Sequence, residues 1–313
     1  MMKVFIDGKS GTTGLKIFER FSNRSDIELL DIKEELRKDP VEKQKIMNQA
    51  DIVFLCLPDD AAIESAKLVT NPNTVIIDTS TAHRTDPNWA YGFPELDKSL
   101  EEKINKSKRI AVPGCYASGF LSIVYPLVKL GVINKDYQIS ANAISGYSGA
   151  GKKGIEQYMS SKDEELEAPR LYGMSQNHKH LKEMMIISGL DHKPLFNPYI
   201  CNFYSGMLVD IPLEVANLNK KVTPKELHEL FKNYYGDNEF VRVMPFNENG
   251  TESGFLSAKR LSGKDYLEIY ISGNDERINI VACLDNLGKG ASGAAVEVMN
   301  IKMGVSKNYS LNM

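Results

Sequence analysis

Cys115 lies in the stretch Arg109-Ile-Ala-Val-Pro-Gly-Cys-Tyr-Ala-Ser-Gly119, whose residue types could build a nucleophile. Residues 110–112 form an apolar run of strand type, Pro113 and Gly114 stop it, and a helix is expected over 120–130. A thiol at such a strand-to-helix turn faces the unpaired N–H groups and the positive end of the helix dipole, a field that favours the thiolate. The same donors could hold an oxyanion forming on a carbon under attack. The competing reading of Cys115 is a small buried hydrophobe at a tight turn. Proton partners are offered by Asn177-His-Lys-His-Leu-Lys-Glu183. His178 and His180 are two apart, a spacing that on a helix sends one ring toward a site and the other away. Either could carry a proton near Cys115. A metal would need more ligands than this pair supplies, so no metal site is expected. The hydroxyl-rich loop Asp78-Thr-Ser-Thr-Ala-His-Arg-Thr-Asp86 carries Arg84, a natural partner for a carboxylate or phosphate.

These residues need elements to position them. The chain opens on an apolar strand over 3–7, the turn Gly8-Lys-Ser-Gly-Thr-Thr-Gly14, and an amphipathic helix from Leu15 to Phe21. Strand, glycine turn and helix in that order predict dinucleotide binding: the glycines allow a tight turn and close approach to a pyrophosphate, and the helix N–H groups hold it. A second strand over 27–32 ends near Asp31. An acid there suits the ribose hydroxyls of NAD, whereas Lys33 and Arg37 just beyond suit the extra phosphate of NADP. A helix over 40–49, a buried strand over 51–58 with Cys56 as packing, a helix over 61–69 and a strand over 74–78 continue the alternation. Alternation of this kind implies a parallel sheet with helices on both faces. Tyr91-Gly-Phe-Pro-Glu-Leu96 reads as an aromatic turn, and a charged helix over 98–106 precedes the Cys115 stretch.

Past Leu130 the texture changes. Strands are expected over 137–145 and 199–212, and less clearly over 251–257 and 266–272, which suits an antiparallel or mixed sheet covered by helices. Ser145-Gly-Tyr-Ser-Gly-Ala-Gly-Lys-Lys-Gly154 has the small residues and lysines of an anion cradle. Near the end a strand stops at Asp285, a glycine loop follows, and a helix with a small-residue face begins near Ala291. His192 and His228 lie in surface-like sequence and receive no role.

The totals exclude several classes. With 38 Lys and Arg against 41 Asp and Glu the net charge is −3, which makes no electrostatic case for nucleic acid or an acidic membrane surface. No apolar run approaches the ~20 residues of a membrane span, and the N-terminus lacks a signal-peptide layout. The four cysteines are widely spaced with no C-x-x-C pair, which suits a reducing cytoplasm better than a disulfide framework. A length of 313 residues predicts two domains at roughly 150 residues each.

Gly-Lys-Ser-Gly-Thr-Thr-Gly, Pro-Gly-Cys-Tyr-Ala, Ser-Gly-Tyr-Ser-Gly-Ala-Gly-Lys, His-Lys-His and Asn-Leu-Gly-Lys-Gly-Ala-Ser-Gly occur in this order over nearly the whole chain. Together they resemble the N-acetyl-gamma-glutamyl-phosphate reductase family of arginine biosynthesis, and the Cys-Leu-Pro-Asp-Asp and Thr-Ala-His-Arg wording is similar to its shorter type. The resemblance implies an α/β fold of the glyceraldehyde-3-phosphate dehydrogenase kind. Residues 1–114 would be an NADP-binding Rossmann domain completed by the C-terminal helix segment 285–313, and 115–284 an α+β catalytic and oligomerisation domain with a mixed sheet. It implies that Cys115 displaces phosphate from an acyl phosphate and that NADPH reduces the resulting thioester. Gly8, Ser10, Gly11, Thr12, Thr13 and Gly14, with Asn286, would contact the cofactor. His178 or His180 would handle the proton, His178 being favoured; Arg84, Ser148, Gly149 and Glu183 would meet the substrate. The family pattern has Arg where this chain has Lys179, and often Pro where it has Lys182. A homo-oligomer, dimer or tetramer, in the cytoplasm is the implied state. Two other readings remain: a sibling acyl-phosphate reductase for aspartyl or N-acetyl-aminoadipyl phosphate, and a non-catalytic dinucleotide sensor.

Overall fold

The computed structural model describes residues 1–22 and 24–313, which divide into two compact units. One comprises Met1–Pro113 with Ala291–Leu311, the other Gly114–Gly290 with Asn312–Met313.

The first unit starts with β1 (Met2–Asp7), α1 (Thr12–Phe21), β2 (Ile27–Leu30), α2 (Pro40–Gln49), β3 (Ile52–Leu55), α3 (Asp59–Leu68) and β4 (Val75–Asp78). It continues with β5 (Ala90–Tyr91), α4 (Lys98–Lys106) and β6 (Arg109–Ala111). Its six strands run in the order β2-β1-β3-β4-β6-β5, and every pairing is parallel. The strands bury both faces, as their unbroken apolar runs require. Val4, Ile6, Ile52, Phe54, Val75 and Ile77 point into one core with Ile17 and Phe21 of α1. Phe5, Val53, Leu55 and Ile76 point the other way, against Met47 of α2 and Ala62 of α3. Tyr91, read as part of a turn, instead belongs to an edge strand that pairs with β6; at two residues it is too short to show a period.

The second unit contains α5 (Cys115–Lys129), β7 (Ser140–Gly146), α6 (Gly151–Ser160), β8 (Arg170–Leu171), α7 (Leu181–Ser188), β9 (Leu195–Cys201) and β10 (Met207–Glu214). It ends with α8 (Pro224–Tyr235), β11 (Val241–Val243), β12 (Leu267–Gly273) and β13 (Arg277–Leu284). The seven-stranded sheet has the order β11-β12-β13-β10-β7-β9-β8 and is mixed: β7–β9 and β11–β12 are parallel, the remaining pairs antiparallel. The run 199–212 is two strands rather than one, because residues 202–206 leave the ladder to hold a neighbouring loop, with Phe203 and Tyr204 carbonyls accepting from the Tyr147 and Ser148 N–H groups. The stretch 251–257 is not a strand; its Ser, Thr and Gly form turns such as Thr251 Oγ1 donating to the Phe255 carbonyl at 3.0 Å. His228 is buried on α8, with Nε2 2.9 Å from the Met244 carbonyl, so it is structural rather than a surface residue.

The last helix, α9 (Gly293–Met303), belongs to the first unit, where Ala294, Ala295, Val296, Val298 and Met299 join the core beneath β1, β3 and β4. All residues from Gly293 to Asn300 are buried, so α9 has no solvated face. The expected return at residue 285 falls later, at Ala291. Residues 285–290 stay with the second unit because Asp285 accepts from the Gly263 N–H at 2.5 Å and Asn286 from the Gly206 N–H at 2.9 Å.

Candidate active site

Helix α5 begins at Cys115 itself, five residues before the helix read from the sequence, with Gly114 as its N-cap. Tyr-Ala-Ser-Gly resembles a turn signal, yet Gly119 serves to bring α5 onto β10: a Cβ there would lie 2.6 Å from Val209 Cγ2. No side chain caps α5 and no acid stands in its first turn, so its first N–H groups have no partner of the helix's own making. The thiol therefore stands at the N-terminus of α5, where the helix dipole favours a thiolate and the first-turn N–H groups can hold a developing oxyanion.

Two contacts fix this turn. Glu183 on α7, only 2 % exposed, accepts the Gly114 N–H through Oε1 at 2.9 Å. Gly290 lies so close that a Cβ on it would stand 2.8 Å from the Cys115 Cβ. The second glycine turn of the chain is thus a packing partner of the nucleophile, and only glycine fits there. Cys115 is partly accessible. By contrast, burial pushes the thiols of Cys56 and Cys283 up to about 12 and raises that of Cys201, which leaves them poor nucleophiles.

The histidines precede α7 rather than lying on it, His180 being its N-cap residue. Helical spacing therefore does not apply, and both rings fall on one side: His178 and His180 are 4.8 Å apart edge to face, and both pack against Tyr116, the neighbour of Cys115, at 5.7 and 6.0 Å. The His180 N–H donates to His178 Nδ1 at 3.2 Å, which leaves the proton of a neutral His178 on Nε2. Burial, and then the Lys179 charge, hold His178 down to about 4. It is a neutral Nε2–H donor at neutral pH.

Two tyrosines that the sequence reading missed complete this wall. The Tyr172 hydroxyl donates to the Tyr116 hydroxyl at 2.9 Å. Burial raises both phenols well above their ordinary range, and the charge of Cys115 adds to the rise, so both stay protonated beside it. Tyr116 also meets Ser145, at the start of the expected anion cradle. There Asn286 Nδ2 donates to Ser148 Oγ at 2.8 Å, and Gly149 leaves room beside Ser145 Oγ and Asn286 Nδ2, 3.3 and 3.5 Å from where its Cβ would be. Residues 145–149, 203–206 and 286 are one hydrogen-bonded body within the second unit.

In the first unit, Gly8 has φ +89° and its missing Cβ would collide with the Cys56 carbonyl; a Cβ on Gly14 would collide with the Gly8 carbonyl. The Gly11 N–H closes the turn on the Gly8 carbonyl at 3.0 Å, while α1 receives no side-chain cap and no acid in its first turn. This turn lies where the strand order reverses between β1 and β3, the place where open parallel sheets bind ligands. Crowded backbone, glycine surface and open N–H groups fit a dinucleotide pyrophosphate. Also in this unit, Arg84 is 7 % exposed and donates through Nε to the Val112 carbonyl at 2.8 Å and through Nη2 to the Thr79 carbonyl at 3.0 Å. Its loop is pinned by His83, whose Nδ1 is 2.6 Å from the Asp78 carboxylate and whose ring stacks on Trp89 at 3.9 Å.

Residues 3–105 match a family described as semialdehyde dehydrogenase, NAD binding domain, and 115–286 one described as semialdehyde dehydrogenase, dimerisation domain. A protein of Nostoc sp. named N-acetyl-gamma-glutamyl-phosphate reductase 2 is 43 % identical over 99 % of both chains. A Sinorhizobium medicae protein named N-acetyl-gamma-glutamyl-phosphate reductase is 42 % identical over 96 % of this chain and 98 % of its own. The chain belongs to the N-acetyl-gamma-glutamyl-phosphate reductase family. Members of this family are oxidoreductases of the semialdehyde dehydrogenase kind. Solved structures extend the fold. Aspartate semialdehyde dehydrogenase from Francisella tularensis superposes with a TM-score of 0.73 at 16 % identity over 96 % of this chain and 99 % of its own. Aspartate semialdehyde dehydrogenase II from Vibrio cholerae, complexed with ASA, gives 0.70 at 14 % over 97 % and 98 %. The reductase family is therefore built here as an α/β protein, with a parallel NAD-binding sheet and a mixed dimerisation sheet. Among the described residues no helix is long and apolar enough to cross a membrane, and no group of three or more His, Cys, Asp or Glu could hold a metal.

Proposed function

We propose that the chain reduces N-acetyl-γ-glutamyl phosphate to N-acetylglutamate 5-semialdehyde and phosphate, with NADPH as the reductant. The observation that carries this reading is Cys115 at the first position of α5, over uncapped N–H groups and braced by Glu183 and Gly290. The Cys115 thiolate attacks the acyl carbon, the C–O bond to phosphate breaks, and a thioester forms. The first-turn N–H groups of α5 hold the oxyanion of the tetrahedral stage. Bound NADPH supplies a hydride for the thioester carbon. The thiohemiacetal oxyanion that results is held by the His178–His180 pair, with His178 donating a hydrogen bond through Nε2–H, and it collapses to the aldehyde as the C–S bond breaks and the thiolate returns. Glu183, buried and engaged with Gly114, acts as a positioning residue for Cys115 instead of a direct substrate ligand. Ser148 and Gly149 line the acyl-phosphate pocket, and Asn286, with both ends of its amide held, fixes that loop while facing the nicotinamide. Arg84 grips the anionic substrate from a loop held rigid by Asp78 and His83. Gly8, Ser10, Gly11, Thr12, Thr13 and Gly14 carry the cofactor phosphates.

The working state is a cytoplasmic homodimer, or a homotetramer made of two such dimers, formed through the open face of the second unit's sheet. That face bears a cleft of about 430 Å³ lined by Ile144, Tyr199, Leu208, Leu256 and Val281. Asp210 Oδ1 and Asn279 Oδ1 are buried there without a hydrogen bond, and burial raises the Asp210 carboxyl. A second copy would supply the missing donors and cover the apolar lining.

The test offers purified protein N-acetylglutamate semialdehyde, phosphate and NADP⁺, and follows the reduced nicotinamide. Phosphate-dependent turnover is expected. Turnover with aspartate semialdehyde alone would overturn the substrate while keeping the chemistry, and dinucleotide binding without turnover of either would overturn the enzyme reading.

A further inference from the structure

The end of β2 presents an acid where a dinucleotide's adenosine ribose is expected. Asp31 directly follows that strand and its side chain is 75 % exposed. An unpaired carboxylate in this place accepts the 2′- and 3′-hydroxyls of NAD and repels the 2′-phosphate of NADP. Here it is not unpaired. Its Oδ1 accepts the Ile32 N–H at 3.1 Å, which turns Oδ2 toward the Lys9 ammonium at 3.8 Å.

Lys9 comes from the glycine turn, not from the helix and loop after β2 where basic residues stand in the sequence. It follows Gly8, whose φ of +89° sets the direction of the turn. Its Nζ lies 3.9 Å from the Phe18 ring centroid on α1, so the side chain is bracketed between an aromatic face and a carboxylate. The rival cation Arg37 is already bound to Glu34 at 2.6 Å within its own turn. Lys43 is likewise committed, to Asp7 at 2.6 Å. Lys9 is the cation that the fold pairs with the acid.

We propose that Lys9 is the specificity residue for a phosphate on the adenosine ribose: held by Phe18 and Asp31, it cancels the acid's repulsion and donates to a 2′-phosphate. Asp31 serves as the counter-ion that parks Lys9 at the site, and without Lys9 it would select the unphosphorylated dinucleotide. This rests on the reading that the first unit binds NADP(H).

The test is calorimetric titration of the full chain with NADP⁺, NAD⁺, adenosine 2′,5′-bisphosphate and adenosine 5′-monophosphate, none of which requires turnover. Wild type is expected to bind the bisphosphate and NADP⁺ more tightly than their unphosphorylated counterparts. Lys9→Met, which keeps an apolar stem on Phe18, should lose about ten- to a hundredfold of NADP⁺ and bisphosphate affinity, the range of a charge-assisted hydrogen bond. Its NAD⁺ affinity should stay within about threefold, since a neutral stem leaves the pyrophosphate cradle untouched. Asp31→Asn should keep NADP⁺ affinity and weaken NAD⁺. Equal loss of both dinucleotides in Lys9→Met would overturn the proposal and make Lys9 a pyrophosphate or folding residue, as would no loss of either. A wild type that prefers NAD⁺ would instead overturn the NADPH reading, a result read from the unsubstituted chain.

Discussion

Helices α1 and α5 both begin behind a glycine, Gly11 and Gly114, and neither receives a side-chain cap or carries an acid in its first turn. Helices α2, α4 and α8 begin behind Asp39, Asp97 and Thr223, whose side chains accept the first N–H groups. A cap is worth ~1 kcal/mol, so leaving two of these termini open forgoes stability that the other three retain. Open donors and a positive dipole end are what an anion needs, whether a bound pyrophosphate or an oxyanion that exists only during reaction. The two turns differ in how their shape is enforced. Around Gly8 the backbone is crowded against Cys56 and leaves no space for a side chain. Around Cys115 the shape comes from a partner, the Glu183 carboxylate on the Gly114 N–H. The binding turn is thus set by close backbone packing, whereas the reacting turn is set by a carboxylate hydrogen bond together with the packing of Gly290.

Breaking each turn separately should separate the two functions. The largest effect belongs to Cys115→Ser, which should cut turnover by about 10³-fold or more while dinucleotide affinity, read by calorimetry, stays unchanged. Gly8→Ala should do the reverse in kind: strain of about 2–3 kcal/mol at a positive φ with no room for Cβ, seen as weaker dinucleotide binding and a lower Tm. Glu183→Gln should be milder. The amide oxygen can still accept from Gly114 but without charge, so kcat should fall about tenfold with KM steady, whereas Glu183→Ala should lower kcat further. A rise in KM alone would return Glu183 to the substrate.

The smallest effect is a pH dependence. His178 is held from 6.5 down to about 4 by burial and by Lys179. The unfolded chain then binds more protons than the native one between those values, so the contribution of neutral His178 to stability is complete above about 6.5 and is lost as pH falls toward about 4. Unfolding midpoints of wild type and His178→Gln, compared over that window, should converge as the pH drops. Curves that stay parallel would show that His178 is not held neutral.

Much of this was legible in the sequence because the first unit is made of long local patterns. Apolar strands, glycine turn and alternating helices follow from nearest-neighbour rules, and only the two-residue β5 escaped them. The reacting turn was legible as far as Pro-Gly-Cys reveals a helix start. Its supports were not, because Glu183 and Gly290 reach Cys115 from 68 and 175 residues away. A helical rule sends His178 and His180 in opposite directions, but they sit in the turn before α7, where that rule does not hold. Nothing in the sequence marks Tyr116 and Tyr172, which are singled out by their hydroxyl-to-hydroxyl bond beside Cys115.

The proposed reaction turns on one covalent event at Cys115. Mixing the chain with N-acetyl-γ-glutamyl phosphate in the absence of any nicotinamide cofactor, quenching in acid and mapping the peptides by mass spectrometry tests it directly. The expected result is an N-acetylglutamyl thioester on Cys115, formed with about one phosphate released per chain and absent from Cys115→Ser. Phosphate release without that adduct, or an adduct that persists in Cys115→Ser, would contradict it.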